Sequence, residues 1–199
     1  MVVVVIIAVL AAIAVPLFAG RLRSRHLLQI GGRIADIYRG SRTRALARGS
    51  AMVVSLSMSD GSFQVLEGVE GTNAATSSGA NKAACANLPT RGCLTNAWGN
   101  VGSGSTVGTA RVVDGMASPG IKPVLTLSDG TVVKAGTVAI CFSPAGRTYI
   151  NTTATWTPDQ WQTLGAPAVL DITSTDPNNQ TARDYQVLIM PNGTARLAP

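Results

Sequence analysis

The chain begins MVVVVIIAVLAAIAVPLFAGR, nineteen residues without a charge before Gly20 and Arg21. As a helix, residues 1–19 would be about 28 Å long at ~1.5 Å per residue, close to the thickness of a bilayer core. No basic residue precedes the run and no small-residue cleavage motif clearly follows it, so a retained span fits better than a cleaved signal peptide. Pro16 removes one helical hydrogen bond inside it. Whatever follows must fold with one end adapted to an apolar surrounding.

The charge is as uneven as the hydropathy. Between Arg21 and Arg48 there are eight arginines and one acid, Asp36, a net of +7. From Gly49 onward eight Lys/Arg face nine Asp/Glu, a net of −1. The basic balance therefore belongs to one short stretch, which argues against a globular part that binds nucleic acid through bulk charge.

Leu27, Ile30, Ile34, Ile37, Tyr38 and Ala45 recur at three- and four-residue intervals, with Arg23, Arg33, Arg39, Arg44 and Arg48 largely on other faces. The spacing predicts one long helix to about Arg48, apolar in its first half, amphipathic in its second and capped by Gly49. After Gly49 the period becomes two: Val54, Leu56 and Met58 alternate with serines, and Asp60-Gly61 turns the chain toward Phe63 and Val65. Further strands are expected at Val124–Leu127, Val138–Phe142, Thr148–Ile150, Val169–Ile172 and Tyr185–Met190, separated by Asp129-Gly130, Ser143-Pro144-Ala145-Gly146 and Pro191-Asn192-Gly193. The expected fold class is α+β: a long N-terminal helix packed on an antiparallel β-sheet domain. Its expected parts are a span at 1–20, a helical stem at 21–49, and a β domain at 50–199 with a long polar loop at 71–110.

Three cysteines are too few for a disulfide-built scaffold. Cys85 and Cys93 bracket the short loop CANLPTRGC, and a Cys85–Cys93 disulfide is the expected pairing, leaving Cys141 a buried thiol in TVAICF. No metal site is expected, because the single histidine, His26, lies in the stem. The same histidine would have to serve any serine-histidine-carboxylate site, so no catalytic residue is assigned. Gly102–Gly108, GSGSTVG, lacks the Gly-Lys-Ser/Thr of a phosphate loop. Asp171 and Asp176 have no evident acid/base partner. Trp98, Trp156 and Trp161 admit two readings, binding surface or packing, of which packing is the commoner fate of tryptophan. Asn151, Asn179 and Asn192 begin sequons that matter only in a eukaryotic secretory pathway. No enzyme and no cofactor is expected.

MVVVVIIAVLAAIAVPLF, running without a break into an amphipathic stem and then strands, resembles the type IV pilin superfamily. Within it, IYRGSRTRALARGSAMVVSL, CFSPAGRTYI and the closing MPNGTARL are similar to H-type (FimT/FimU-type) minor pilins and type II secretion pseudopilins. The family pattern places a methylated aromatic N-terminus and a glutamate upstream of this segment, so a short stretch is expected before Met1. The resemblance implies a pilin-like fold and a structural subunit of a type IV pilus, or of a type II secretion pseudopilus. Such a subunit helps prime assembly and links a tip complex to the major subunits. Its location would be the bacterial inner membrane, single-pass with the C-terminal domain in the periplasm, and then the filament near its tip. Partners would be other major and minor pilins, the inner membrane and the assembly machinery.

On this reading Val2, Val5, Ile6, Val9, Leu10, Ile13, Pro16 and Leu17 form the membrane and filament-core segment, with Ala8, Ala11, Ala12 and Ala14 allowing close helix approach. Arg21, Arg23, Arg25 and Arg33 would meet lipid head groups or acidic faces of neighbouring subunits. Positive-inside reasoning alone would put these arginines in the cytoplasm; the expected disulfide and the resemblance favour export. Two alternatives stand beside the structural role. One is a DNA-binding minor pilin for DNA uptake, which the resemblance ties to a C-terminal Gly-Arg-x-Arg. Here Gly193-Thr194-Ala195-Arg196 keeps only Arg196 of the arginine pair. The other is a plain membrane-anchored periplasmic domain.

Overall fold

A computed structural model of the chain describes residues 2–68, 92–94, 98, 110–116, 121–153, 156, 158–174 and 185–198, with the backbone alone at 4–24, 110–113, 115, 158 and 174. Helix α1 (Val2–Arg48) is followed by β1 (Met52–Ser57), β2 (Phe63–Gly68), β3 (Ala110–Met116), β4 (Ile121–Thr126), β5 (Val132–Val133) and β6 (Thr137–Phe142). Then come β7 (Thr148–Asn151), a 3-10 turn (Pro158–Gln160), β8 (Gln162–Thr163), β9 (Ala168–Ser174), β10 (Tyr185–Ile189) and β11 (Ala195–Ala198). A six-stranded sheet has the order β3-β2-β1-β6-β7-β8 and a five-stranded sheet the order β11-β10-β9-β4-β5, with antiparallel pairing throughout.

This corrects the expected fold class. A long helix, apolar and then amphipathic, on an antiparallel sheet in the pilin manner is not what the described residues form. They are mainly β, in two sheets, and the described side chains of α1 that join the core lie between Leu27 and Ala45. Among the described residues no helix is long and apolar enough to cross a membrane. The physical reason lies in the C-terminal third. Ala168, Leu170 and Ile172 on β9 and Val187 and Ile189 on β10 each bury one face. That face closes against α1 as a second layer, separate from the first sheet.

The main core therefore has α1 in contact with both sheets. Leu27, Ile30, Ile34, Tyr38 and Ala45 present one stripe at helical spacing. It meets Met52, Val54 and Leu56 of β1, Ile140 and Phe142 of β6, and the inner faces of β9 and β10. Tyr38 stands edge-on to Phe63 and to Phe142, with ring centroids 6.3 Å away in each case. Such pairs contribute about 0.5–1.5 kcal/mol beyond their buried area. The helix ends where Gly49 takes a φ of 65°, the left-handed conformation that closes a helix.

A second core covers the other face of the six-stranded sheet. Val53, Leu66, Cys141 and Tyr149 point there, roofed by Cys93, Trp98, Trp156 and Trp161. Strand β1 is consequently buried at five successive positions, Met52 to Leu56, where alternation with exposed serine was expected. Cys93 is bonded to Cys141, with Cα atoms 5.9 Å apart, which corrects the expected Cys85–Cys93 bridge and the free Cys141 thiol. Cys85 lies outside the described residues. Proximity in sequence misleads here because loop-closure entropy grows only slowly with loop length, so a partner distant in sequence, on β6, competes well.

Two hairpins share one chemistry. In Ser143–Arg147 the Ser143 N–H donates to the Arg147 carbonyl and the Gly146 N–H to the Ser143 carbonyl. In Met190–Thr194 the Met190 N–H donates to the Thr194 carbonyl and the Gly193 N–H to the Met190 carbonyl. Gly146 and Gly193 sit at φ 79° and 78°, the left-handed position that such turns reserve for glycine.

Candidate functional site

The charged stretch singled out by the sequence folds onto α1, and the fold divides the arginines whose side chains are described into two groups. Three of them serve the fold. The Arg39 Nε donates to the Ala195 carbonyl at 2.7 Å and its Nη1 to Asp36 at 3.0 Å. The Arg42 Nε donates to the Asn192 carbonyl at 2.6 Å. These two tie the helix to the hairpin between β10 and β11, where Gly193 lies beneath Arg42 and Phe142. At the helix end, the Arg48 Nε donates to Glu67 Oε1 at 2.6 Å, and the Ser50 hydroxyl joins it at 3.2 Å. Glu67 is 1% exposed. A carboxylate that deep is tolerable only with such charge-assisted donors.

Arg25, Arg33 and Arg44 form the other group. All three are exposed, and among the described residues none makes an ion pair or a side-chain hydrogen bond. Arg33 and Arg44 flank a groove of about 210 Å³ between α1 and the β2–β3 pair, lined also by Asp36, Gly40, Val65 and Asp114. Val65 and Asp114 face each other across the β2–β3 ladder, beside a register shift between Val65 and Leu66. A side chain at Gly40 would meet nothing within 4 Å, and the same holds at Gly32. Gly31 differs: a Cβ there would come within 2.7 Å of Leu197 Cδ1 on β11. The groove's lining holds two arginines and two aspartates, and Asp36 is engaged by Arg39.

The other expected site residues are placed as follows. Val2 is exposed. The side chains of Val5, Ile6, Val9, Leu10, Ile13, Pro16, Leu17, Arg21 and Arg23 lie outside the described residues, as do Asp176, Asn179 and the Gly102–Gly108 stretch. Arg25 and Arg33 are both exposed on α1, and Arg44, which was not among the expected contacts, shares the groove with Arg33. Its signal was available: eleven residues after Arg33 is three helical turns, the same side of the helix. Arg196 is exposed on β11, in the five-stranded sheet, and does not line that groove. Its cross-strand row runs through Leu188, Val169, Thr126 and Val132, with no second cation. Trp98, Trp156 and Trp161 are all buried, so they pack the second core. His26 is exposed on α1, and Asp171 accepts a hydrogen bond from Gln186 Nε2 at 2.8 Å. Among the described residues no cluster of His, Cys, Asp and Glu could hold a metal ion.

The arrangement offers recognition by charge and shape, through guanidinium groups held on a rigid helix beside a shallow groove. No protein-family model matches this chain, and no curated protein or solved structure is significantly similar to it.

Proposed function

We propose that this chain is a structural, non-enzymatic subunit of a type IV pilus or a type II secretion pseudopilus: a minor pilin or pseudopilin that helps prime assembly and links a tip complex to the major subunits. The observation that supports this most is the division of labour along α1. Between Leu27 and Ala45 one stripe is absorbed into the β body, whereas Val2 and Val3 at the other end are 73% and 68% exposed. They open a run that is apolar in sequence, of the composition that lipid or sister helices cover. The Cys93–Cys141 disulfide supports export, because such bonds persist in oxidising compartments. On this reading the subunit waits in the inner membrane with its β domain in the periplasm. It then enters the filament near the tip, with other pilins and the assembly machinery as partners and no cofactor.

The test is recovery of the tagged full chain from sheared filaments of cells that carry the assembly machinery. The expected result is co-purification with the filament, lost on Leu10→Asp. A stable membrane-bound pool with none in the filament would point instead to a plain anchored periplasmic domain. Uptake-linked binding to DNA, abolished by Arg196→Ala, would replace this reading with that of a DNA-binding minor pilin.

A further inference from the structure

Asn192-Gly193, in the hairpin between β10 and β11, is the only Asn-Gly pair in the chain. Glycine leaves its own nitrogen unshielded, so after an asparagine that nitrogen reaches the side-chain amide more readily than any other residue's would. Asn192 is exposed, and its Nδ2 has no partner among the described residues. Asn151, the other asparagine whose side chain is described, is 1% exposed and precedes the β-branched Thr152. The folded hairpin nevertheless holds the Asn192-Gly193 pair still. The Gly193 N–H donates to the Met190 carbonyl at 2.8 Å, and Asn192 Oδ1 accepts from the Thr194 N–H at 3.0 Å and from its hydroxyl at 2.8 Å. From α1 the Arg42 Nε donates at 2.6 Å to the carbonyl of the same Asn192–Gly193 peptide.

We propose that Asn192 is a deamidation site gated by the hairpin and its tie to α1, so that the modification marks chains whose last hairpin has opened. In the reaction, solvent hydroxide removes the Gly193 amide proton and the freed nitrogen attacks Asn192 Cγ. The Cγ–Nδ2 bond breaks and ammonia leaves, taking its proton from water. Water then opens the cyclic imide to aspartate or to isoaspartate. The hydrogen bond to Met190 protects the proton that must leave, as it would protect that amide from exchange. The Thr194 contacts fix the carboxamide, which must turn toward the nitrogen, and Arg42 fixes the peptide between them. Isoaspartate routes the chain through its side chain and lengthens the backbone by one carbon. The turn, closed by the Gly193–Met190 and Met190–Thr194 hydrogen bonds with Gly193 packed under Arg42 and Phe142, has no room for it. A marked chain therefore does not refasten its hairpin. The inference stands on this hairpin alone and not on the filament reading.

The test ages the full chain in detergent, in mildly alkaline buffer with and without denaturing urea, and measures aspartate and isoaspartate at residue 192 by peptide mass mapping. The folded chain should react at least about tenfold more slowly than the unfolded one, because only the open fraction of molecules reacts. Arg42→Ala should raise the folded rate about fivefold, the effect of one lost hydrogen bond, and leave the rate in urea unchanged. Thr194→Val, which removes only the hydroxyl donor to Asn192 Oδ1, is the milder variant and should shift the folded rate in the same direction. Chains aged in urea and then refolded should melt lower in proportion to their isoaspartate. Equal rates with and without urea would overturn the proposal, as would parental rates in both variants. Refolded isoaspartyl chains that melt like the parent would overturn the claim that the mark prevents refastening.

Discussion

The pairing of Cys93 with Cys141 makes the sharpest quantitative prediction. The bond closes a loop of 48 residues, and the chain-entropy relation for a loop of that length gives about 4 kcal/mol of stabilisation. The Cys85–Cys93 bridge expected from sequence would close a loop of eight residues, worth about 2.5 kcal/mol by the same relation. Cys93→Ala and Cys141→Ala should therefore each lower the thermal midpoint by about 8–16 °C, at ~2–4 °C per kcal/mol for a chain of this size. The double variant should fall little further, because the two residues act as one unit. Cys85→Ala should unfold with the parent. Circular dichroism melts with and without reductant give the values, and mass mapping of unreduced peptides identifies the bond. If Cys85→Ala is as damaging as Cys93→Ala while Cys141→Ala is mild, the covering of the six-stranded sheet described above is wrong.

Two further outcomes probe the main core. Gly193→Ala places a Cβ at φ 78°, 2.9 Å from Arg42 Cδ and from Phe142 Cδ1, and should cost about 2 kcal/mol in a urea titration. Gly130→Ala, at φ 84° with open space around it, should cost about 1 kcal/mol; equal costs would remove the packing contribution. Burial raises the Tyr38 phenol well above the ordinary tyrosine value. An unfolded tyrosine ionises near pH 10 while the folded one holds its proton, so this contribution is complete below about pH 10 and is lost as the pH rises from there. Tyr38→Phe should lose about 1.4 kcal/mol less than the parent between pH 9 and pH 11, and parallel losses would show that Tyr38 is ionised in the folded chain.

Much of the local structure was legible. The period-two runs found β1, β2, β4, β6, β7, β9 and β10 within a few residues, and the turn glycines fell where the chain reverses. Alternation reports that a strand has a buried face but not which sheet it joins, and for that reason the fold class was misread. Strands β5 and β8 have two residues each, too few for any period to show. Nothing near Glu67 in sequence reveals that it will be buried with Arg48 folded over it. The arginines of the stem were visible as a group. Which of them remain available depended on carbonyls 150 and 156 residues away, at Asn192 and Ala195.

Those two hydrogen bonds also bear on how the molecule is made. The stripe from Leu27 to Ala45 leaves the ribosome long before half of its cover, β9 to β11. Until the final hairpin arrives, the helix carries bare leucine and isoleucine, and contacts of such wide sequence separation form slowly. A nascent chain of this design stays vulnerable until β9 to β11 have emerged. Loss of the last few residues, Ala195 to Ala198, would therefore harm the yield of folded protein more than their small share of the core suggests.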